Sequence, residues 1–121
     1  MHRILIIDDD NEFRKMLALR LTKACYEVVE ALNGREGLRA YQAEPVDLVV
    51  TDIFMPVQEG IETVFKLKEI SPDLPIIAIS GGGSRQNFDY LDNVSDFGVD
   101  KTFQKPFVMS EFLDAIKELI G

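Results

Sequence analysis

A chain of 121 residues, 46% of them apolar, is long enough to bury a core as one domain and too apolar to stay disordered. Its net charge of −8, with 13 basic residues scattered rather than run together, argues against a nucleic-acid surface. Cys25 is the only cysteine, which excludes an internal disulfide and makes a reducing cytoplasm the expected home.

No apolar stretch approaches the length of a membrane span. The first strand is expected within three residues of the N-terminus, which leaves no room for a signal peptide. Cys25 reads as a small, semi-buried residue, and the lone His2 as an exposed terminal one.

Residues 3–7 read as a strand apolar on both faces, as a central parallel strand should be. Asp10 or Asn11 offers an N-cap to a helix whose apolar positions are Phe13, Met16, Leu17, Leu21 and Ala24, with Arg14, Lys15, Arg20 and Lys23 facing out. Residues 26–31 alternate weakly, which suits a strand nearer an edge. Asn33-Gly34 breaks it, and a second helix is expected from about Arg35 to Ala43, stopped by Pro45. Residues 47–51 form a third strand. Gly60 precedes a helix with Ile61, Val64, Phe65, Leu67 and Ile70 inward, ended by Ser71-Pro72-Asp73. Residues 75–79 are a fourth, buried strand running into Ser80-Gly81-Gly82-Gly83. A weaker helix over 85–94, a strand over 99–104 and a helix burying Phe112, Leu113, Ile116, Leu119 and Ile120 complete the chain.

Five strands alternating with five helices through short loops imply an α/β fold: one doubly wound parallel sheet with helices on both faces. No repeat, linker or low-complexity tract divides residues 1–121, so one domain is expected. Sites in such sheets form at the carboxyl ends of the strands, where strand order reverses. Asp8 and Asp9 follow the first strand, Asp52 the third, Ser80 the fourth, and Lys105 closely follows the fifth. A strand order of 2-1-3-4-5 brings the first and third strands side by side and makes the group compact.

Three neighbouring carboxylates repel one another, and a hard divalent cation relieves them. Mg²⁺ suits oxygen donors and leaves room for water and phosphate oxygens. Lys105 and the Ser80 hydroxyl can meet a phosphoryl group, and Asp52 can attack phosphorus in line to form an aspartyl phosphate. Each residue alone has a blander reading. Asp10 is best read as a helix cap, Asp8 or Asp9 could equally cap, and a lone lysine or serine is usually a surface or turn residue. The coincidence at one sheet edge favours the chemistry.

Ile4-Leu5-Ile6-Ile7-Asp8-Asp9-Asp10, Asp47 through Pro56, Pro75 through Ser80 and Lys105-Pro106-Phe107 together resemble the receiver domain of two-component response regulators, a CheY-like, flavodoxin-like fold. The resemblance covers essentially the whole chain. It implies that Asp52 is the phosphoacceptor, served by a histidine kinase or phosphotransfer protein. It implies Mg²⁺ bound by Asp9, Asp52 and the backbone carbonyl of Phe54, with Asp8 acting through water, and Ser80 and Lys105 on the phosphoryl oxygens. A cis bond before Pro106 is implied too, and so is a downstream partner on the face of the fourth helix, fifth strand and fifth helix. Such a domain signals by conformational change rather than acting as an enzyme, beyond assisting its own phosphorylation and dephosphorylation.

Some positions depart from the family pattern. Thr102 stands where an aromatic switch residue is usual, and Phe103, one place on, points to the opposite face, towards the core. Gly81-Gly82-Gly83 opens the fourth helix unusually, and Cys25 stands where glycine is frequent. Phe54 and Gly82 flank the expected path of hydrolytic water, with opposed effects. Two other readings stay open: a phosphorylation-independent binding module of the same fold, and a haloacid-dehalogenase-type phosphohydrolase using Asp8-Asp9-Asp10. Glu12 stands against the second, where Thr or Val is expected.

Overall fold

Along β1 (Arg3–Ile7) successive side chains take opposite faces of the sheet, and both faces are buried. The computed structural model describes residues 1–53, 57–80 and 98–121, with the side chains of residues 57–59 excepted. The described elements continue as α1 (Asn11–Lys23), β2 (Glu27–Ala31), α2 (Gly34–Ala43), β3 (Leu48–Asp52), α3 (Val57–Ile70), β4 (Ile76–Ser80), β5 (Lys101–Gln104) and a C-terminal helix α4 (Met109–Ile120). The helix expected over 85–94 and the Gly81-Gly82-Gly83 turn lie outside the described residues.

All four strand pairs are parallel, in the order β2-β1-β3-β4-β5. The chain therefore reverses direction across the sheet between β1 and β3, with Ile7 opposite Thr51. Leu5, Ile7, Val49, Ile76 and Ala78 face one way and pack with Tyr41 of α2 and Val64 and Leu67 of α3. Ile4, Ile6, Leu48, Val50, Ile77 and Ile79 face the other way, against Leu17 and Leu21 of α1 and Phe112 and Ile116 of α4. Each fully buried aliphatic side chain contributes on the order of 1.5–3 kcal/mol relative to an exposed one. That fixes the register on which the strand-end residues depend. β2 is an edge strand, as its mixed pattern implies.

Caps set where the helices start. Asp10 Oδ1 accepts the Phe13 N–H at 3.1 Å, and Asn33 Oδ1 accepts the Glu36 N–H at 2.9 Å. Asn33 is thus a cap as well as a breaker, and α2 begins at Gly34. At the end of α1 the Cys25 N–H bonds to Thr22 O and the Tyr26 N–H to Leu21 O, a paired closure that forces φ of 72° at Cys25. Cys25 is exposed rather than semi-buried, because the reversal turns it outward.

Other expectations shift for related reasons. Met16, Phe65 and Ile70 are exposed, since the sheet meets a narrower stripe of each helix than the apolar spacing allows for. Ala24 is exposed as the C-cap of α1. Gly60 lies inside α3 rather than before it, and a Cβ there would stand 2.8 Å from Ile53 Cα. Only glycine lets the helix ride this close to the backbone that follows β3. Arg14, expected on the outer face, is buried.

Candidate functional site

The carboxyl edge of the sheet gathers the residues that the sequence singles out. Asp8 follows β1 directly and is 2% exposed, while Asp52 is the last residue of β3 and is 6% exposed. Because these strands are neighbours, Asp8, Asp9 and Asp52 each offer a carboxylate oxygen within 4.8 Å of the others. Asp9 is the exposed member of the three.

Lys105 reaches into this group from just beyond β5. Its Nζ lies 3.0 Å from Asp8 Oδ2 and 3.5 Å from Asp52 Oδ2. The Lys105 N–H donates to Ser80 O at 2.8 Å, which ties the lysine's backbone to the end of β4. On its other side Nζ sits 4.0 Å from the centroid of the Phe13 ring, a cation–π contact. Phe13 meets Phe107 edge-on at 5.9 Å, so the lysine is backed by aromatic rings and faces carboxylates. The Lys105–Pro106 peptide bond is cis.

Ser80 is fully buried at the end of β4, and its Oγ has no hydrogen-bond partner among the described residues. An unpaired buried hydroxyl is costly, so one persisting beside a charged cluster points to a ligand oxygen. The acidic turn is itself braced. Asp8 Oδ1 accepts the Asp10 N–H at 2.8 Å, and the Asp8 N–H donates to Ala31 O at 3.1 Å. Asp10 thus caps α1 and stays outside the cluster.

All five predicted side chains, Asp8, Asp9, Asp52, Ser80 and Lys105, end the strands or follow them closely at this edge. Phe54 lies outside the described residues. Thr102 is exposed on β5, whereas Phe103 packs on Phe107 and Phe112, with centroids 5.4 and 5.2 Å away. The sequence reading missed two supports. One is Phe13 under the lysine; the other is Arg14, whose Nη1 donates to Asp8 O at 2.7 Å. No local signal marks Arg14, since Glu30 is one of two glutamates in β2.

Among the described residues Asp8 and Asp52 share the Lys105 ammonium and the Asp9 carboxylate lies close by, which leaves an excess of negative charge. Hard oxygen donors in this number suit a cation such as Mg²⁺, so the residues fit that ion.

A family model for the response regulator receiver domain matches residues 4–117. The chain belongs to this family. As a receiver domain it is 37% identical over 121 residues to the response regulator receiver protein CpdR of Brucella abortus, covering 99% of this chain and 98% of that one. It is 34% identical to the probable transcriptional regulator ycf27 of Cyanidium caldarium, covering 98% of this chain but only 46% of that protein. The CheY-like receiver domain protein of Methanospirillum hungatei superposes with a TM-score of 0.84 at 32% identity, over 98% of this chain and 92% of that one. The response regulator TrrA of Thermotoga maritima, solved in complex with Mg²⁺ and BeF, gives a TM-score of 0.86 at 30% identity, over 98% and 99% of the two chains. This receiver domain is therefore a signalling module of two-component systems. Among its described residues no helix is long and apolar enough to cross a membrane.

Proposed function

We propose that Asp52 accepts a phosphoryl group from a phosphohistidine on a histidine kinase or phosphotransfer protein, in a reaction that needs Mg²⁺. An Asp52 oxygen attacks phosphorus as the P–N bond to the donor imidazole breaks, and the imidazole retains the electron pair and takes up a proton. Asp9, Asp52 and the carbonyl of Phe54 would hold the ion, with Asp8 acting through water. The ion would supply positive charge to the phosphoryl oxygens. Lys105 leaves its carboxylate partners for a phosphoryl oxygen, and Ser80 Oγ donates to another.

The observation that carries this reading is the charge balance at the sheet edge. Among the described residues two buried carboxylates share the Lys105 ammonium, at 3.0 and 3.5 Å, with the exposed Asp9 carboxylate close by and a buried hydroxyl with no described partner at the end of β4. Such an arrangement is poorly settled alone and well settled around a cation and a phosphate. The product is a transient mark rather than a released compound, so the domain works as a switch in the cytoplasm. Its downstream protein binds the face that includes β5 and α4.

Incubation with acetyl phosphate and Mg²⁺, followed by intact mass, tests the assignment. Wild type gains the mass of one phosphoryl group and Asp52→Asn gains none. Equal labelling of the two would refute the choice of Asp52.

A further inference from the structure

Arg14 is a buried guanidinium that the phosphoryl chemistry does not use. It sits on α1 between two partners from other parts of the fold. Nη1 donates to the Asp8 carbonyl at 2.7 Å, and Nε donates to Glu30 Oε1 of β2 at 2.9 Å. Arg14 is 6% exposed as a residue, whereas the Glu30 side chain is 38% exposed. Burying a guanidinium is costly unless its donors are met, and a buried pair rarely stabilises a fold more than apolar packing does. A leucine or methionine would fill this place on α1 as well. What an apolar side chain could not do is hold the Asp8 carbonyl.

That carbonyl belongs to the peptide plane linking Asp8 to Asp9. Fixing its oxygen fixes the plane, and with it the directions in which both carboxylates leave the backbone. The Ala31 carbonyl holds Asp8 from its N–H side, and Asp10 N–H holds its side chain. Arg14 closes the remaining side. Glu30 in turn holds the guanidinium, and β2 pairs with β1 one step before the turn, at Ile6 opposite Glu30 and Ile7 opposite Ala31.

We infer that Arg14, held by Glu30, is a positioning residue for the acidic turn, setting the Asp8 and Asp9 carboxylates at the spacing that takes up a divalent cation. This rests on the reading of the acidic cluster as a Mg²⁺ site. Residues that orient metal ligands without touching the metal commonly change affinity about 10- to 100-fold when lost.

The chain has no tryptophan, so Mg²⁺ uptake is best followed by amide NMR of residues 1–121. We expect Arg14→Met to weaken Mg²⁺ binding about tenfold or more, with amide shifts away from residues 8–10, 14 and 30 unchanged. Arg14→Lys recovers part of the loss, because one ammonium cannot serve both partners in a fixed fork. Glu30→Gln weakens binding less, since it keeps an acceptor for Nε. Wild-type saturation together with an affinity within twofold in folded Arg14→Met overturns the positioning role and leaves the metal site standing. The same equality in Arg14→Lys overturns it if Arg14→Met does not fold. A wild type that takes up no Mg²⁺ overturns both.

Discussion

The two ends of the sheet are both rich in charge, yet they are built on different terms. At the amino end Arg3 pairs with Glu27 at 2.9 Å and also with Glu44, and Asp47 accepts the Arg3 N–H at 2.7 Å. The side chains of Glu27 and Glu44 are 49% and 66% exposed, so both of these acidic partners stand in water. Hydrogen bonding to Glu27 raises the Arg3 guanidinium above its ordinary value, but exposed pairs of this kind add little stability. At the carboxyl end Asp8 and Asp52 are buried, and among the described residues they share Lys105 with the exposed Asp9 carboxylate close by. The difference lies in water: it screens the acidic partners of Arg3, whereas Asp8 and Asp52 are held out of it, where a cation would relieve them.

The largest effects should come from disturbing the carboxyl end. Asp9→Asn should weaken Mg²⁺ binding about tenfold or more by amide NMR titration, since an exposed ligand oxygen is lost. In EDTA the same variant should show a raised urea midpoint, because a repelled carboxylate has gone. A lowered midpoint would mean the cluster is not under repulsion. At a Mg²⁺ concentration 100 times Kd, wild type should gain about 2.7 kcal/mol of unfolding free energy, and Asp9→Asn much less.

Gly60→Ala should come next. A new Cβ would meet Ile53 Cα at 2.8 Å and Asp52 O at 3.2 Å, and backbone cannot yield as a side-chain tip can. A loss of about 1–3 kcal/mol is expected in urea denaturation, with weakened Mg²⁺ binding as the end of β3 shifts. An unchanged midpoint would show that α3 has room to move.

At the amino end the effects should be small and of a different kind. Cys25→Gly relieves a left-handed conformation at φ 72°, which costs a non-glycine residue about 1–2 kcal/mol, against the entropy that glycine adds to the unfolded chain. A net gain of up to about 1 kcal/mol with unchanged Mg²⁺ affinity is expected. Glu44→Gln should leave the urea midpoint indistinguishable from wild type. A clear drop there would erase the contrast between the two ends.

The residues of the carboxyl edge were legible in the sequence because of how they are delivered. Ile4 to Ile7, Val49 to Thr51 and Ile76 to Ile79 are buried runs that leave a strand only one register. The polar residue ending each run therefore has one place to go. Arg14 was not legible, because its burial depends on Glu30 from β2 and on the Asp8 carbonyl, which are joined by tertiary contact alone. Helical spacing gives only the angle of a side chain and not what lies opposite it, so the exposure of Met16, Phe65 and Ile70 is not written in their spacing. The turn at Cys25 was legible only through the resemblance, as a place where glycine is frequent, because cysteine itself does not announce a positive φ.

Amide NMR of this chain with Mg²⁺ and beryllofluoride, a mimic of the phosphoryl group, tests the central claim most directly. The account predicts saturable shifts centred on Asp8, Asp9, Asp52, Ser80 and Lys105, dependent on both additives and lost in Asp52→Asn, with Arg3, Glu27 and Glu44 unmoved. A spectrum that does not change, or changes equally at both ends of the sheet, would contradict it.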